Sequence, residues 1–401
     1  MVNLSLDENF RSAVLKKGIL NKTVELFGNI TSKPSQQLIQ QVLYLLSVDE
    51  KSKPLFAYTE CVPLIVKLIL ESKSEKVSPE LIALGINLAT EKKNAEIFCF
   101  ENGVKFLMKR AFKTKDSLIF KLLRNVSHHD GEIKMPFLDF IDDIMHLLFK
   151  SLQIPELCVE LIGILGNLSI LEFDFAKLSE AYKLDEFISN FLQKSVKNLK
   201  QKEPGGGGLA DDDDITLEII VLLGTMAADD GMAPIIARSN IIQSLLELMM
   251  GKEEDDEIIL QITFCIYNML LHEETRNMLI SKTQIVAYLI DLLYDRNIEI
   301  RKMCDACLDI IIEIDESWVK KIKLQKFQWH NAEWLASMSE ATSQQAIEDD
   351  HPGSYEESAL LYSNKKLTKT NRFIMDEIQS DEDDDDLYRS MLTTNQLVDF
   401  S

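Results

Sequence analysis

A cysteine pair near the end of the repetitive part of the chain has a spacing that suits chemistry. Cys304 and Cys307 form a C-x-x-C pair, the spacing found in zinc sites and redox dithiols. No second Cys pair or His pair follows them, and Cys307 lies on the apolar face of a helical pattern. We therefore expect both thiols to be buried and structural.

Three other motifs contain residues that could act in catalysis or bind a ligand. His128-His129-Asp130 precedes Gly131 and is typical of a turn or helix cap rather than a metal site. The run Gly205 to Gly208 lacks the Gly-Lys-Ser/Thr ending of a phosphate loop, and Asp211 to Asp214 lacks the spacing of a calcium loop. The sequence therefore predicts no enzyme, no catalytic residue, no metal and no cofactor.

The elements that position every side chain are helices that repeat. Apolar residues spaced i, i+3, i+4 and i+7 mark one face of a helix. This stripe ends at residues 46, 88, 126, 168, 226, 269 and 310, and Leu4 ends one more copy. The copies are mostly about 42 residues apart, a period typical of armadillo or HEAT solenoids.

A second signature favours the armadillo type. A small or turn residue opens another apolar helix at Gly18, Cys61, Gly103 and Asn240. We expect an all-α armadillo-repeat right-handed superhelix over residues 1–322, with about eight units of which the first is incomplete. Units that cannot bury their apolar faces alone stack into a continuous core and leave a concave groove.

One step between stripes is 58 residues long, and within it residues 205–214 contain four glycines and four aspartates. Because such a segment does not pack, we expect a flexible Gly/Asp insertion near residues 200–214.

The residue just before each stripe end is predicted to face the groove. It is Asn at five positions, and we select four of them as partner-binding groove residues: Asn87, Asn125, Asn167 and Asn268. An Asn amide there can hold an extended peptide, or it can tie down a neighbouring helix end, and the sequence leaves both interpretations open. No Trp stands four residues earlier, so binding of basic nuclear signals in the manner of armadillo import receptors is not expected.

Composition excludes several partners. The chain has 43 Lys plus Arg against 65 Asp plus Glu, a formal net charge of −22. A phosphate backbone and an anionic membrane both need a basic surface, so neither nucleic acid nor membrane is an expected partner. The sequence offers no secretory signal and no membrane-spanning run, and its six scattered cysteines suit a reducing, cytoplasmic location.

The end of the chain differs from the repeats. Residues 323–335 are aromatic and basic, and Phe327, Trp329 and Trp334 are predicted to cap the last repeat. Residues 336–401 lack a sustained stripe and contain the acidic run Asp381 to Asp386, so we expect a largely disordered acidic tail.

Several stretches resemble the family of the kinesin-associated protein (KAP), the non-motor armadillo subunit of heterotrimeric kinesin-II. The resemblance covers residues 1–335. Its most specific part is the box formed by Phe327, Trp329, His330, Asn331 and Trp334, and the run Arg124 to Gly131 is also similar. The chain opens within a ladder helix at Asn3-Leu4-Ser5, so we expect the family's amino-terminal portion to be absent.

The resemblance implies a function that composition does not. It implies a non-catalytic adaptor that binds the tails of kinesin-II motor chains and links them to cargo adaptor proteins. The setting would be microtubule-based and intraflagellar transport for cilium assembly, with a location on microtubules and in the cilium or axoneme. The alternative is a generic armadillo scaffold, or a nuclear transport receptor that binds extended peptides.

Overall fold

The computed structural model describes residues 18–74, 76–171, 173–201 and 210–331, and within them it is helical with no strand. The amino-terminal copy that contains Asn3 and Leu4, the segment 202–209 and the acidic tail lie outside these residues. The described chain is an all-α solenoid of armadillo type, as the repeat predicted.

The helices fall into three rows, one from each position in the repeat. Short first helices are α3 (Lys53–Phe56), α6 (Lys92–Cys99), α9 (Met135–Leu138), α12 (Phe175–Tyr182), α15 (Ala233–Arg238) and α18 (Glu273–Lys282). Second helices are α1 (Ile19–Asn29), α4 (Cys61–Glu71), α7 (Gly103–Thr114), α10 (Ile141–Lys150), α13 (Leu184–Gln201), α16 (Ile241–Gly251) and α19 (Ile285–Leu292).

We call the third row the ladder helices, because each carries one apolar stripe. They are α2 (Lys33–Ser47), α5 (Pro79–Ala89), α8 (Ser117–Ser127), α11 (Pro155–Gly166), α14 (Ala210–Ala227), α17 (Asp256–Leu271) and α20 (Ile298–Ile314). A last helix, α21 (Glu316–His330), follows them.

Local sequence explains where the helices begin. Asp116 and Asp255 each cap a ladder helix, since their side chains accept hydrogen bonds from backbone N–H groups of the first turn. Proline stands in the first turn of α2, α5 and α11, where its missing N–H costs nothing. Gly18 adopts a left-handed conformation (φ 65°) directly before α1, in agreement with the predicted start of that helix.

Stacking of the ladder helices buries the predicted stripes. The stripe residues of α8, α11 and α14 are fully buried, for example Leu122, Leu165 and Leu222. Each ladder helix packs extensively on the next, whereas most neighbouring second helices pack less extensively on one another. The ladder helices therefore form the tighter, inner row of this unit.

The stripe prediction is wrong in part at α20. Ala306 and Ile310 are only half-buried, while Cys304 and Leu308 fill the core in addition to Met303 and Cys307. The reason is that α20 is the last ladder helix, so no further one covers its far side.

The predicted insertion is also corrected at one end. Asp211 to Asp214 were assigned to the flexible loop, but they form the first turns of α14. Carboxylates near a helix amino terminus are favoured by its unpaired N–H groups and by the helix dipole.

The chain divides into two units, residues 1–326 and residues 327–401. The predicted division at 322 and 335, with an aromatic cap and an acidic tail, stays a prediction.

Candidate functional site on the ladder helices

Each ladder helix has one face that no neighbouring helix covers completely, and we call it the open face. Most of its side chains are exposed or half-buried and point away from the apolar stripe, while Glu160, Gly163 and Glu218 are buried. On the four central ladder helices the residues of this face include Lys121, Arg124 and Asn125 of α8; Val159, Glu160, Gly163 and, just past the helix end, Asn167 of α11; Leu217, Glu218, Val221 and Thr225 of α14; and Leu260, Phe264 and Tyr267 of α17.

The predicted asparagines hold successive ladder helices together. The amide nitrogen of Asn87 donates to Ser47 Oγ at 3.1 Å, and that of Asn125 donates to the Ile86 carbonyl at 3.2 Å. Asn268 donates to the Gly224 carbonyl at 2.9 Å.

Asn167 makes two hydrogen bonds to the preceding ladder helix, whereas each of the other three asparagines makes one. Its amide nitrogen donates both to the Arg124 carbonyl at 3.1 Å and to Ser127 Oγ at 3.0 Å. At the position where α14 lacks an Asn, the Thr225 hydroxyl donates to the Gly166 carbonyl at 2.7 Å. In every case the acceptor is a carbonyl or a serine hydroxyl near the end of the preceding ladder helix.

Of the two interpretations of this row, tying down a helix end is therefore observed. Asn87, Asn125 and Asn167 are half-buried and keep an exposed edge, whereas Asn268 is 1% exposed. Peptide binding by these four residues stays a prediction.

The largest polar contact on the open face was not predicted. Arg124 extends from α8 across α11 and reaches α14. Its Nη2 lies 2.5 Å from Glu218 Oε1, and its Nη1 lies 3.7 Å from Glu160 Oε2. One side chain thus links three successive repeats.

Glycine at position 163 makes this crossing possible. A Cβ atom there would lie 2.3 Å from Arg124 Nε, so any larger residue would displace the guanidinium. Gly163 stands four residues before Asn167, in the row of positions that carries no Trp. That glycine was the available signal for the cluster.

The cluster holds two carboxylates against one guanidinium. Burial raises the pKa of Glu160 to about 7, and the nearby Arg124 only partly opposes this. Burial also raises the pKa of Glu218. Burial alone would lower the pKa of Arg124, but the two carboxylates raise it overall, so the guanidinium stays charged.

The cysteine and histidine motifs of the sequence lie in or directly after packed ladder helices. Cys304 and Cys307 are buried, as expected, and burial raises the pKa of both thiols, which keeps them protonated. His129 Nε2 lies 2.8 Å from the Ala89 carbonyl, and burial lowers the pKa of His128 and His129. Among the described residues no group of His, Cys, Asp and Glu has the arrangement of a metal site.

The aromatic box belongs to the second unit. Phe327, Trp329 and His330 end α21, and the rings of Trp329 and His330 are 4.2 Å apart. The Asn331 amide donates to the Phe327 carbonyl at 2.9 Å, which closes the helix end. Trp334 lies outside the described residues, and the cap role of the box stays a prediction.

The described part of the chain contains no helix with the length and apolarity needed to cross a membrane.

Comparison with solved structures shows the fold. An engineered protein superposes with a TM-score of 0.56 at 17% identity, over 77% of this chain and 72% of that chain. A chain from a study of a phosphorylation switch that controls the interaction between cadherin and beta-catenin superposes with a TM-score of 0.55 at 13% identity, over 78% of this chain and 62% of that one.

Fold and open face together define an armadillo-type solenoid whose ladder helices present a face of mixed polar and apolar side chains. The model of the kinesin-associated protein (KAP) family matches residues 1–371. The chain belongs to that family.

Proposed function

We propose that this chain is a non-catalytic adaptor subunit of heterotrimeric kinesin-II. In this role it binds the tails of the motor chains and connects them to cargo adaptor proteins. The family match over residues 1–371 is the observation that carries the proposal.

The open face of the ladder helices suits this role. It runs over successive repeats, and its mixture of half-buried apolar and polar side chains is of the kind that accepts an extended or helical segment. The setting we propose is cytoplasmic, microtubule-associated transport, including intraflagellar transport for cilium assembly.

Co-expression tests the proposal. The full chain is produced with tagged tail segments of a kinesin-II motor pair, and a tail of an unrelated kinesin serves as the control. We expect the kinesin-II tails alone to co-purify. Absence of binding at low salt by a chain whose circular dichroism shows folded helices would refute the adaptor function.

The alternative, a nuclear transport receptor or generic scaffold, is tested in the same assay. A basic localisation peptide is offered as a competitor to the tails. Tight binding of that peptide without binding of the tails would favour the alternative. The lack of Trp on the open face at the positions four residues before the Asn row argues against it.

A further inference from the structure

Negative charge is concentrated on three consecutive ladder helices. The sequences of α11, α14 and α17 contain no Lys or Arg, whereas α8 before them and α20 after them each contain two. We call the open side of these three helices the acidic face. Its acids are Glu156 and Glu160 of α11, Asp214 and Glu218 of α14, and Asp256 and Glu257 of α17.

The cation in contact with the centre of this face comes from another helix. Arg124 of α8 lies over the backbone of Gly163 and contacts Glu160 and Glu218. The chain itself therefore shows that the acidic face receives a guanidinium group.

One guanidinium does not satisfy the two carboxylates. Glu160 and Glu218 are each only 8% exposed, yet Oε2 of each has no hydrogen-bond partner. Asp214 and Glu257 are the like charges that act on Glu218. Buried carboxylate oxygens normally have partners, so this part of the face has an excess of acceptors.

Apolar side chains lie between the acids. Val221 and Phe264 are half-buried on the open faces of α14 and α17, and Leu217 and Leu260 flank them one turn earlier. Lys and Arg bury their aliphatic stems on such surfaces while the charged ends reach carboxylates.

The spacing of the helices sets the spacing of the ligand. Neighbouring packed helices are roughly 8–10 Å apart, and an extended chain advances about 3.3 Å per residue. A chain that crosses the row therefore meets a new ladder helix about every third residue.

We propose that the acidic face binds an extended segment of a partner polypeptide that carries Lys or Arg at about every third residue. The occupant is a segment of a motor-chain tail, and in this respect the inference rests on the proposed function. Its positive charge is complementary to the face, and its basic side chains contact the exposed acids Glu156, Asp214 and Asp256.

A pair of matched double variants tests the site. The first, Glu156→Gln with Asp214→Asn, removes two exposed acids of the acidic face. The control, Glu273→Gln with Glu274→Gln, removes two exposed acids from α18, outside the ladder row. Both double variants change the net charge by the same amount, and neither replaces a buried residue.

Affinity for the motor tails is measured over a range of salt concentrations. We expect the first variant to bind about ten-fold more weakly at low salt, with a shallower salt dependence, and the control to bind like the wild type. Equal weakening by both variants would show a general effect of net charge and overturn the inference, while tail binding itself would leave the proposed function standing.

A second probe separates the two proposals. Two synthetic peptides of identical composition are compared, one with Arg at every third position and one with the arginines in a single block. We expect the spaced peptide to bind more tightly and to lose affinity with the first variant alone. If the motor tails fail to bind while this pattern holds, the proposed function and the motor-tail occupant are both overturned, and the binding of spaced basic residues by the acidic face is supported. Equal binding of both peptides would overturn the proposed spacing of the basic residues.

Discussion

Replacement of Arg124 by Met tests the energetics of the open face most sharply. The substitution keeps an apolar stem but removes the guanidinium from Glu160 and Glu218, each of which is only 8% exposed. Removal of one member of a buried ion pair generally costs about 3–5 kcal/mol. We expect about 2–4 kcal/mol at pH 8, because the Arg124 side chain is itself 29% exposed.

The cost should depend on pH. The pKa of Glu160 is raised to about 7, so below neutrality this carboxyl takes up a proton and no longer needs the guanidinium. We therefore expect the loss to be smaller by about 1 kcal/mol at pH 6 than at pH 8, since one pKa unit corresponds to about 1.4 kcal/mol.

Native-state hydrogen exchange is the suitable assay, because solenoids open locally. The opening free energy of amides in α8, α11 and α14 should fall, while α2, three repeats before the centre of the cluster, serves as an internal reference. The triple variant Arg124→Met, Glu160→Gln, Glu218→Gln should return to within about 1 kcal/mol of the wild type. Exchange in α11 and α14 that is unchanged by Arg124→Met at pH 8 would refute the reasoning.

Three further outcomes are expected. In urea titrations, the stability of the wild type relative to Glu160→Gln should fall by about 2 kcal/mol between pH 5 and pH 8. The reason is that the pKa of Glu160 rises from 4.5 to about 7 on folding, so the protonated carboxyl stabilises the fold at low pH and this contribution is lost as the pH rises. A difference that does not change with pH would contradict this. Gly163→Ala should destabilise the fold by about 1–3 kcal/mol, because the added methyl group displaces Arg124. In the Arg124→Met background most of this loss should disappear. An equal loss in both backgrounds would contradict the prediction. Asn268→Ala should cost about 1–3 kcal/mol in thermal unfolding, because it leaves the Gly224 carbonyl without its 2.9 Å donor, and an unchanged melting temperature would contradict that.

Much of the architecture was predictable because it repeats. The stripe spacing placed the ladder helices, and the small or turn residues at Gly18, Cys61 and Asn240 placed the starts of second helices. These signals are local, so they do not depend on how the repeats pack. The groove role predicted for the Asn row stays a prediction, and the hydrogen-bond partners of these residues on the preceding helix became known only from the structure.

The Arg124 cluster was not predictable in this way. Its two members on α8 and α14 are 94 residues apart, and their contact depends on how three helices pack. Gly163 is visible in the sequence, but the spacing of one helix does not show which side chain of a neighbouring helix crosses over it. The helical start of α14 was missed for a different reason: a run of aspartates was interpreted as a loop, although acids are favoured at the beginning of a helix.

The central claim is that the ladder helices of this family member hold the motor-chain tails. A photo-reactive benzoylphenylalanine at position 221, on the open face of α14, tests it directly, with the same group at exposed position 274 on α18 as the control. We expect light to cross-link kinesin-II tails to position 221 and not to position 274. Cross-links at position 274 with none at position 221, in a complex that still forms, would contradict the claim.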